Sequence, residues 1–334
     1  MKYNKIVLLT GMGGSAGIFL INHLKKNNFK VIAVDANSYA VGLLHADVSY
    51  IAPECTASNY LEVIKNICKK ENVSFIIPLI DEELKLLKGL ENDSFKVICP
   101  TIDFIEKTLD KYTLIESLSD FLSYLPKTFL FSDDFSSLEF PVIVKPKLGR
   151  GSKGVCLINN QSELEKFIST NCEKLEHFVI QEKIEGEEYT VSVVVNANND
   201  LVSIVPKRIL EKKGITNNAV TDFNQKIHDI CEKITWNLKP KSPYNVQLIL
   251  DNKNQEPYVF EINPRFSTTV TLTILAGIDE IMAPINFLIN PEQQKPLERS
   301  FKNNLLMIRS IHEDYMEITE YQKRTSEIIN VKTN

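Results

Sequence analysis

The alternation of apolar and polar positions divides the chain into two kinds of sequence. In the first third, short apolar runs are separated by amphipathic stretches with helical spacing, the pattern of parallel strands covered by helices on both faces. Lys5 to Thr10 reads as a buried strand, and a glycine turn then opens a helix that runs to about Asn27. Phe29 to Asp35 and Ser74 to Leu79 are further strands, Tyr60 to Lys70 and Glu82 to Leu90 are helices, and Val97 to Cys99 is a last short strand before Pro100. A helix is predicted over Asp103 to Leu118, after which the pattern turns to alternating strands. Phe140 to Pro146 is one strand, and another follows Gly154. A helix spans Ser162 to Ser169, and Phe178 to Lys183 is again a strand. Thr190 to Val195 and Leu201 to Pro206 form an antiparallel pair around Asn196 to Asn199, a hairpin signal. Lys207 and Arg208 then lead into EKKGITNNAVT, read as a polar loop ending at Thr221 and followed by a helix over Asp222 to Thr235. Asn245 to Leu250 and Pro257 to Asn263 are strands joined by the turn formers Asp251 to Asn254. Thr271 to Ala276 begins a helix and Pro284 to Pro291 closes the body. One strand-like run, Asn304 to Ile311, stands in an otherwise unassigned polar tail.

Composition narrows the class. With 334 residues, two or three domains are expected, and 43% hydrophobic against 24% charged residues is an ordinary globular balance. A net charge of -5 supplies no basic surplus to neutralise phosphates, so a nucleic-acid partner is not expected. No run approaches the ~20 apolar residues of a membrane span, and the amino terminus reads as a first strand and not a signal peptide. The six cysteines and five histidines are scattered without metal spacing, which predicts reduced thiols, no zinc site and a cytoplasmic location.

Four places carry candidate chemistry. A hairpin over 245–263 would bring Gln247 beside Glu261, with Asn263 on the face of Glu261 and Arg265 just beyond. Such oxygen donors suit Mg²⁺, a hard cation that shares its shell with phosphate oxygens, and the arginine could stabilise a transferring phosphoryl group. An ordinary surface hairpin is the alternative. Lys145 ends a strand and precedes a loop with Gly149, Gly151, Ser152 and Gly154, whose backbone N–H groups could approach phosphate. The loop lacks the Walker A pattern, and a plain glycine-rich turn is the alternative. Near the amino terminus, Gly11, Gly13, Gly14 and Gly17 precede Asp35 by roughly 20 residues, a weak dinucleotide fingerprint. That loop could bind NAD(P), help hold another substrate through Gly13, or pack its helix on the sheet. Asp81 stands at the carboxyl end of a strand and could grip a substrate amine, whereas Glu82 and Glu83 read as helix-capping charge. Of the basic pair, Arg208 is the candidate for an acyl phosphate or a substrate carboxylate.

The motifs Q-(13)-E-x-N-P-R and K-P-x-x-G-x-G-S-x-G-V resemble those of ATP-grasp ligases of the carbamoyl-phosphate synthase large-chain-like branch. The resemblance spans roughly residues 1–290. It implies an α/β and α+β protein: a Rossmann-like pre-ATP-grasp domain (1–102), then a two-lobed ATP-grasp domain (103–291) and a C-terminal extension (292–334). The flap lobe would cover about 125–184 and the metal/ATP lobe about 185–291. It further implies Lys111 and Lys145 on ATP phosphates under a flap of Gly151, Ser152 and Gly154. Backbone groups around Glu182, Lys183 and Ile184 would read adenine, Glu188 would take the ribose, and Gln247, Glu261 and Asn263 would hold Mg²⁺ (or Mn²⁺). Lys145, Arg208 and Arg265 would be catalytic. Thr216 stands where carbamoyl-phosphate synthases carry a histidine, which puts bicarbonate chemistry in doubt, and only one nucleotide unit is present. The implied activity joins a small-molecule carboxylate to an amine or ammonia through an acyl phosphate, with ADP and phosphate released, as in the pyrrolysine-pathway ligase type; a homodimer is a reasonable guess. The alternatives are an NAD(P)-binding oxidoreductase and a non-catalytic ATP-binding protein.

Overall fold

The computed structural model describes residues 5–292, 300–310, 315, 317–326 and 328–331. The first unit builds a parallel sheet from β1 (Lys5–Thr10), β2 (Phe29–Asp35), β3 (Val48–Ile51), β4 (Phe75–Ile77) and β5 (Lys96–Val97), in the order β3-β2-β1-β4-β5. Its crossovers carry α1 (Gly17–Lys26), α2 (Tyr60–Glu71) and α3 (Leu84–Lys88). Successive strand residues feed opposite cores, as the pleat requires. Val7, Leu9, Val31 and Ala33 pack with α1, while Leu8, Ile32 and Val34 pack with α2. The strand centres are apolar on both sides because both faces are covered.

The predicted helix over Asp103 to Leu118 is two helices, α4 (Ile102–Leu109) and α5 (Lys111–Ser119). Asp110 breaks them: its backbone is extended, and its carboxylate accepts the N–H groups of Tyr112 and Thr113 at 2.9 and 3.1 Å. An aspartate that satisfies orphan N–H groups starts a helix better than it continues one.

The flap lobe is a four-stranded sheet of β6 (Thr128–Leu130), β7 (Val142–Pro146), β8 (Cys156–Ile158) and β9 (Phe178–Glu182), in the order β6-β9-β7-β8, with α6 (Gln161–Thr170) packed on it. The chain then crosses to the central sheet, built from β10 (Gly186–Val195), β11 (Leu201–Lys213), β12 (Ile215–Thr221), β13 (Tyr244–Asp251) and β14 (Pro257–Asn263), with α7 (Gln225–Leu238) between β12 and β13. The order is β14-β13-β10-β11-β12, all antiparallel. A Cβ added at Gly186 would lie 2.0 Å from the Leu250 carbonyl oxygen, so only glycine lets the crossover approach β13 so closely.

The segment EKKGITNNAVT, read from its polarity as a loop, is the outer end of β11, a turn at Gly214 and the whole of β12. It runs past the end of its pairing with β10, where most of its outer residues are exposed. A strand covered on neither face has no reason to be apolar, so the polarity that suggested a loop misled. After α8 (Val270–Leu275) and α9 (Met282–Ile289), β15 (Leu306–Ile308) pairs with β12 as the sheet's sixth strand. It forms the core of the run predicted from Asn304 to Ile311; Ile311 lies outside the described residues. The tail left unassigned by the sequence adds α10 (Ile318–Ser326) and β16 (Ile329–Asn330), and β16 pairs parallel with β3 in the amino-terminal sheet.

Candidate active site

A cavity of about 300 Å³ opens between the flap lobe and the central sheet. Strand alternation decides which residues meet there. On β7, Ile143 and Lys145 share a face and both line the cavity. Lys145 is buried, and its ammonium donates to Gln181 Oε1 at 2.8 Å and to the Phe260 carbonyl at 3.3 Å, over the Phe260 ring at 5.2 Å. Burial lowers its pKa from 10.5 to about 7, with Glu261 pulling the other way. Lys111, also buried, donates from Nζ to the Gly149 carbonyl at 3.0 Å and so ties the start of α5 to the flap. The flap turns on positive φ at Gly149, Gly151, Ser152 and Gly154. Arg150 at its tip meets Glu82 of the first unit at 3.3 Å.

Residues 183–185 lie between β9 and β10, outside either sheet, and Lys183 and Ile184 line the cavity. Ile143, Ile184 and Ile249 give this end an apolar character suited to a flat base. Glu188 faces the same space and accepts from Lys212 Nζ at 2.6 Å. At the other end Gln247 stands opposite Glu261 and Asn245 opposite Asn263. The ladder skips Phe260 between Val259 and Glu261, a bulge that sets two residues against Gln247. Without that extra residue in the count, Tyr258 and Glu261 would point to opposite faces; with it, both line the cavity. Gln247 and Glu261 have no side-chain hydrogen-bond partner among the described residues, while Asn263 Oδ1 accepts from Arg265 Nη2 at 3.3 Å. One carboxylate and two amide oxygens fit a hard cation completed by phosphate and water. No group of three or more His, Cys, Asp and Glu side chains able to hold a metal occurs among the described residues.

Arg265 is gripped from the first unit. Its Nε and Nη2 donate to the two carboxylate oxygens of Asp81 at 2.7 and 3.0 Å, and both side chains are largely buried. Asp81 therefore holds the arginine instead of waiting for a substrate amine, a correction to the sequence reading. The reason is topological: the carboxyl end of β4 abuts the loop that follows β14. Arg208 also needs correcting. It stands opposite Tyr189, on the face away from Glu188, Thr190 and Gln247, and pairs with Glu187 at 2.9 Å and Asp222 at 3.2 Å. Its neighbour Lys207 takes the site face instead, opposite Thr190, with its ammonium fully buried between Ser192 at 2.6 Å and Thr273 at 2.8 Å.

Glu83 does cap its turn, accepting from the Ile80 N–H at 3.2 Å, but it does so from a buried position, bonded also to Thr10 and, at 2.5 Å, to Tyr60; burial raises its pKa to about 6. The amino-terminal glycine loop closes on itself: the Gly13 N–H donates to Asp35 Oδ2 at 2.9 Å, and the same carboxylate accepts from Asn37. Sequence reasoning missed Lys212, Ile143 and the Phe260 bulge. Alternation from Lys145 would have found Ile143, whereas nothing in the local sequence announces the bulge.

The comparisons with known proteins agree with this architecture. Residues 108–269 match the ATP-grasp domain and residues 7–102 match the "PylC-like, N-terminal domain". The chain carries an ATP-grasp domain behind a PylC-like amino-terminal domain. It is 24% identical over 96% of its length, and 86% of the relative's, to a formate-dependent phosphoribosylglycinamide formyltransferase of Prochlorococcus marinus (strain MIT 9301). It is also 24% identical to a carbamoyl-phosphate synthase of Methanobrevibacter smithii (strain ATCC 35061 / DSM 861 / OCM 144 / PS), covering 89% of this chain and 91% of that one. In fold it is similar to N5-carboxyaminoimidazole synthetase from Staphylococcus aureus complexed with ADP. That match has a TM-score of 0.73 at 18% identity, over 92% of this chain and 82% of that one. The chain's homologues are ATP-dependent, ADP-forming ligases that make C–N bonds through acyl phosphates. The oxidoreductase alternative finds no support. Among the described residues, no helix is long and apolar enough to cross a membrane.

Proposed function

We propose that the cavity activates a small-molecule carboxylate with ATP and passes the acyl phosphate to an amine or to ammonia. The observation that carries this reading is that buried Lys145 and Glu261, unpartnered among the described residues, line one cavity, with Gln247 opposite Glu261 in the sheet and Arg265 bonded to Asn263 two residues on. The adenine would lie against Ile143, Ile184 and Ile249, its edge read by the backbone of Glu182 to Ile184. Glu188 would accept from the ribose hydroxyls, sharing its carboxylate with Lys212. Lys111, Lys145 and the N–H groups of Gly151, Ser152 and Gly154 would neutralise and cover the phosphates. Mg²⁺ or Mn²⁺ held by Glu261, Asn263 and Gln247 would supply charge that offsets the β and γ phosphates. Arg265, aimed by Asp81, would stabilise the phosphoryl group as it moves to the carboxylate oxygen. The nucleophile is then the substrate amine, so the protein needs no nucleophile of its own, and a closed flap would keep water from the acyl phosphate. Free thiols at the described cysteines support a reducing, cytoplasmic setting.

ADP release from Mg-ATP against paired carboxylic and amino acids tests the proposal, with Glu261→Gln alongside. Release that requires both members of a pair and disappears in Glu261→Gln is expected. Release that ignores the panel, or survives the substitution, would overturn it.

A further inference from the structure

The arginines whose side chains are described differ in one respect. Arg150, Arg208 and Arg265 each meet a carboxylate, at Glu82, at Glu187 and Asp222, and at Asp81. Arg309 meets none among the described residues: Nη1 donates to the Thr216 carbonyl at 2.9 Å and Nη2 to the Thr268 carbonyl at 2.7 Å. It is half-buried, and desolvation lowers its pKa, with no charged partner acting on it among the described residues. A guanidinium carries five N–H donors, so two such bonds leave three unspent on a cation that is partly out of water.

The register of the central sheet places this cation. Glu261, Gln247, Thr190, Lys207 and Thr221 stand opposite one another in a single row across five strands and so share a face. Ala219, two residues before Thr221, is on that face and pairs with Met307. Arg309 lies two residues beyond Met307, and its N–H donates to the Asn217 carbonyl, which continues the ladder. Arg309 is therefore on the face that carries Gln247 and Glu261, at the far edge of the sheet. Its two carbonyl partners fix it there: Thr268 is in the loop that follows Asn263 and Arg265, and Thr216 is the second residue of β12.

We infer that Arg309 is the anchor for an anionic group, a carboxylate or a phosphate, on the non-nucleotide substrate. Two carbonyls orient the fork from behind, and the remaining donors are free to take two oxygens of one anion, the geometry in which arginine outperforms lysine. The nature of the anion rests on the ligase reading, whereas the location of its site rests only on Arg309 and its partners.

The test uses the full-length protein with ¹⁵N-labelled arginine side chains, saturated with Mg-ADP and titrated with inorganic phosphate, succinate and chloride. The Nε–H resonance of Arg309, assigned by its loss in Arg309→Lys, is expected to move saturably with phosphate or succinate and not with chloride. Phosphate as the tighter ligand assigns a phosphorylated substrate, and succinate a carboxylate one. Arg309→Gln should weaken that binding by roughly tenfold or more, since hydrogen bonds to charged groups are lost. A resonance that responds equally to all three salts, or anion binding that survives Arg309→Gln, overturns the inference. Mg-ADP binding, followed on the same samples, reports on the ligase reading separately: its failure would sink that reading whatever Arg309 does.

Discussion

Lys145 sits where a charge is poorly tolerated, buried beneath the flap with one amide oxygen and one carbonyl for partners. Its pKa of about 7 means that the empty site is only partly protonated at neutral pH. Phosphate oxygens held there, as proposed, would favour the charged form, so ATP binding is expected to draw in a proton. Calorimetry in buffers of different ionisation enthalpy should record that uptake, with nucleotide affinity falling as pH rises above about 7, and Lys145→Met should abolish both. Glu83 makes the opposite kind of prediction. Its folded pKa of about 6 lies above the ordinary 4.5, so its contribution to stability is full below 4.5 and is lost as pH rises through about 6. The loss is roughly 2 kcal/mol at 1.36 kcal/mol per pKa unit. Urea titrations at pH 5 and 7.5 should show a little over half of that loss in the parent protein and none in Glu83→Gln, because pH 5 already lies above the ordinary 4.5. Asp81 acts through Arg265, so Asp81→Asn should lower kcat, on the order of 10²-fold for a misplaced group, while leaving the ATP dissociation constant unchanged. An equal loss in both would assign Asp81 a merely structural role.

At the scale of elements, the pattern of the sequence marked the strands best where they are covered. β14 follows its predicted bounds because Pro257 and the turn formers before it stop the hairpin and apolar residues fill its buried face. Leu201 to Pro206 of β11 was legible, but its outer end and β12 were hidden because they are largely exposed and polar, and Asp110 was hidden inside an apparently continuous helical period. Of the basic pair, strand parity alone decided that Lys207 and not Arg208 faces the site, and the parity could not be counted while the following segment was read as a loop. The Phe260 bulge shows the same limit: one extra residue changes which side chains meet, and only the partner strand reveals it. Asp110 gives the test at this scale. Asp110→Ala should cost about 1 kcal/mol of stability by thermal denaturation, the usual worth of an N-cap, with Asp110→Asn close to the parent. It should also weaken nucleotide binding, since α5 begins at Lys111.

In the whole molecule, the sequence boundaries do not mark separate cores. Phe266, Val270, Ile281 and Ile285 from the ATP-grasp body pack into the cluster that holds Leu9, Val31 and Ile77 of the amino-terminal sheet. The tail then returns to that sheet through β16, after β15 has extended the central one. Such long-range packing has no local signature, which is why the role of residues 292–334 was not legible. Ile285→Ala should therefore cost about 2–5 kcal/mol, as buried truncations do, and calorimetry should still show both units melting in one transition. Two resolved transitions would mean that the shared core does not couple them. The whole arrangement also brings Asp81 and Arg265 together across 184 residues of chain, so the first unit helps to build the site it adjoins. The central claim is that the carboxylate is phosphorylated before the amine attacks. It is tested most directly by supplying the substrate acid with ¹⁸O in its carboxylate and analysing the inorganic phosphate released with ADP. Transfer of one ¹⁸O atom into the phosphate is the predicted result; phosphate free of label, with product still formed, would contradict the account.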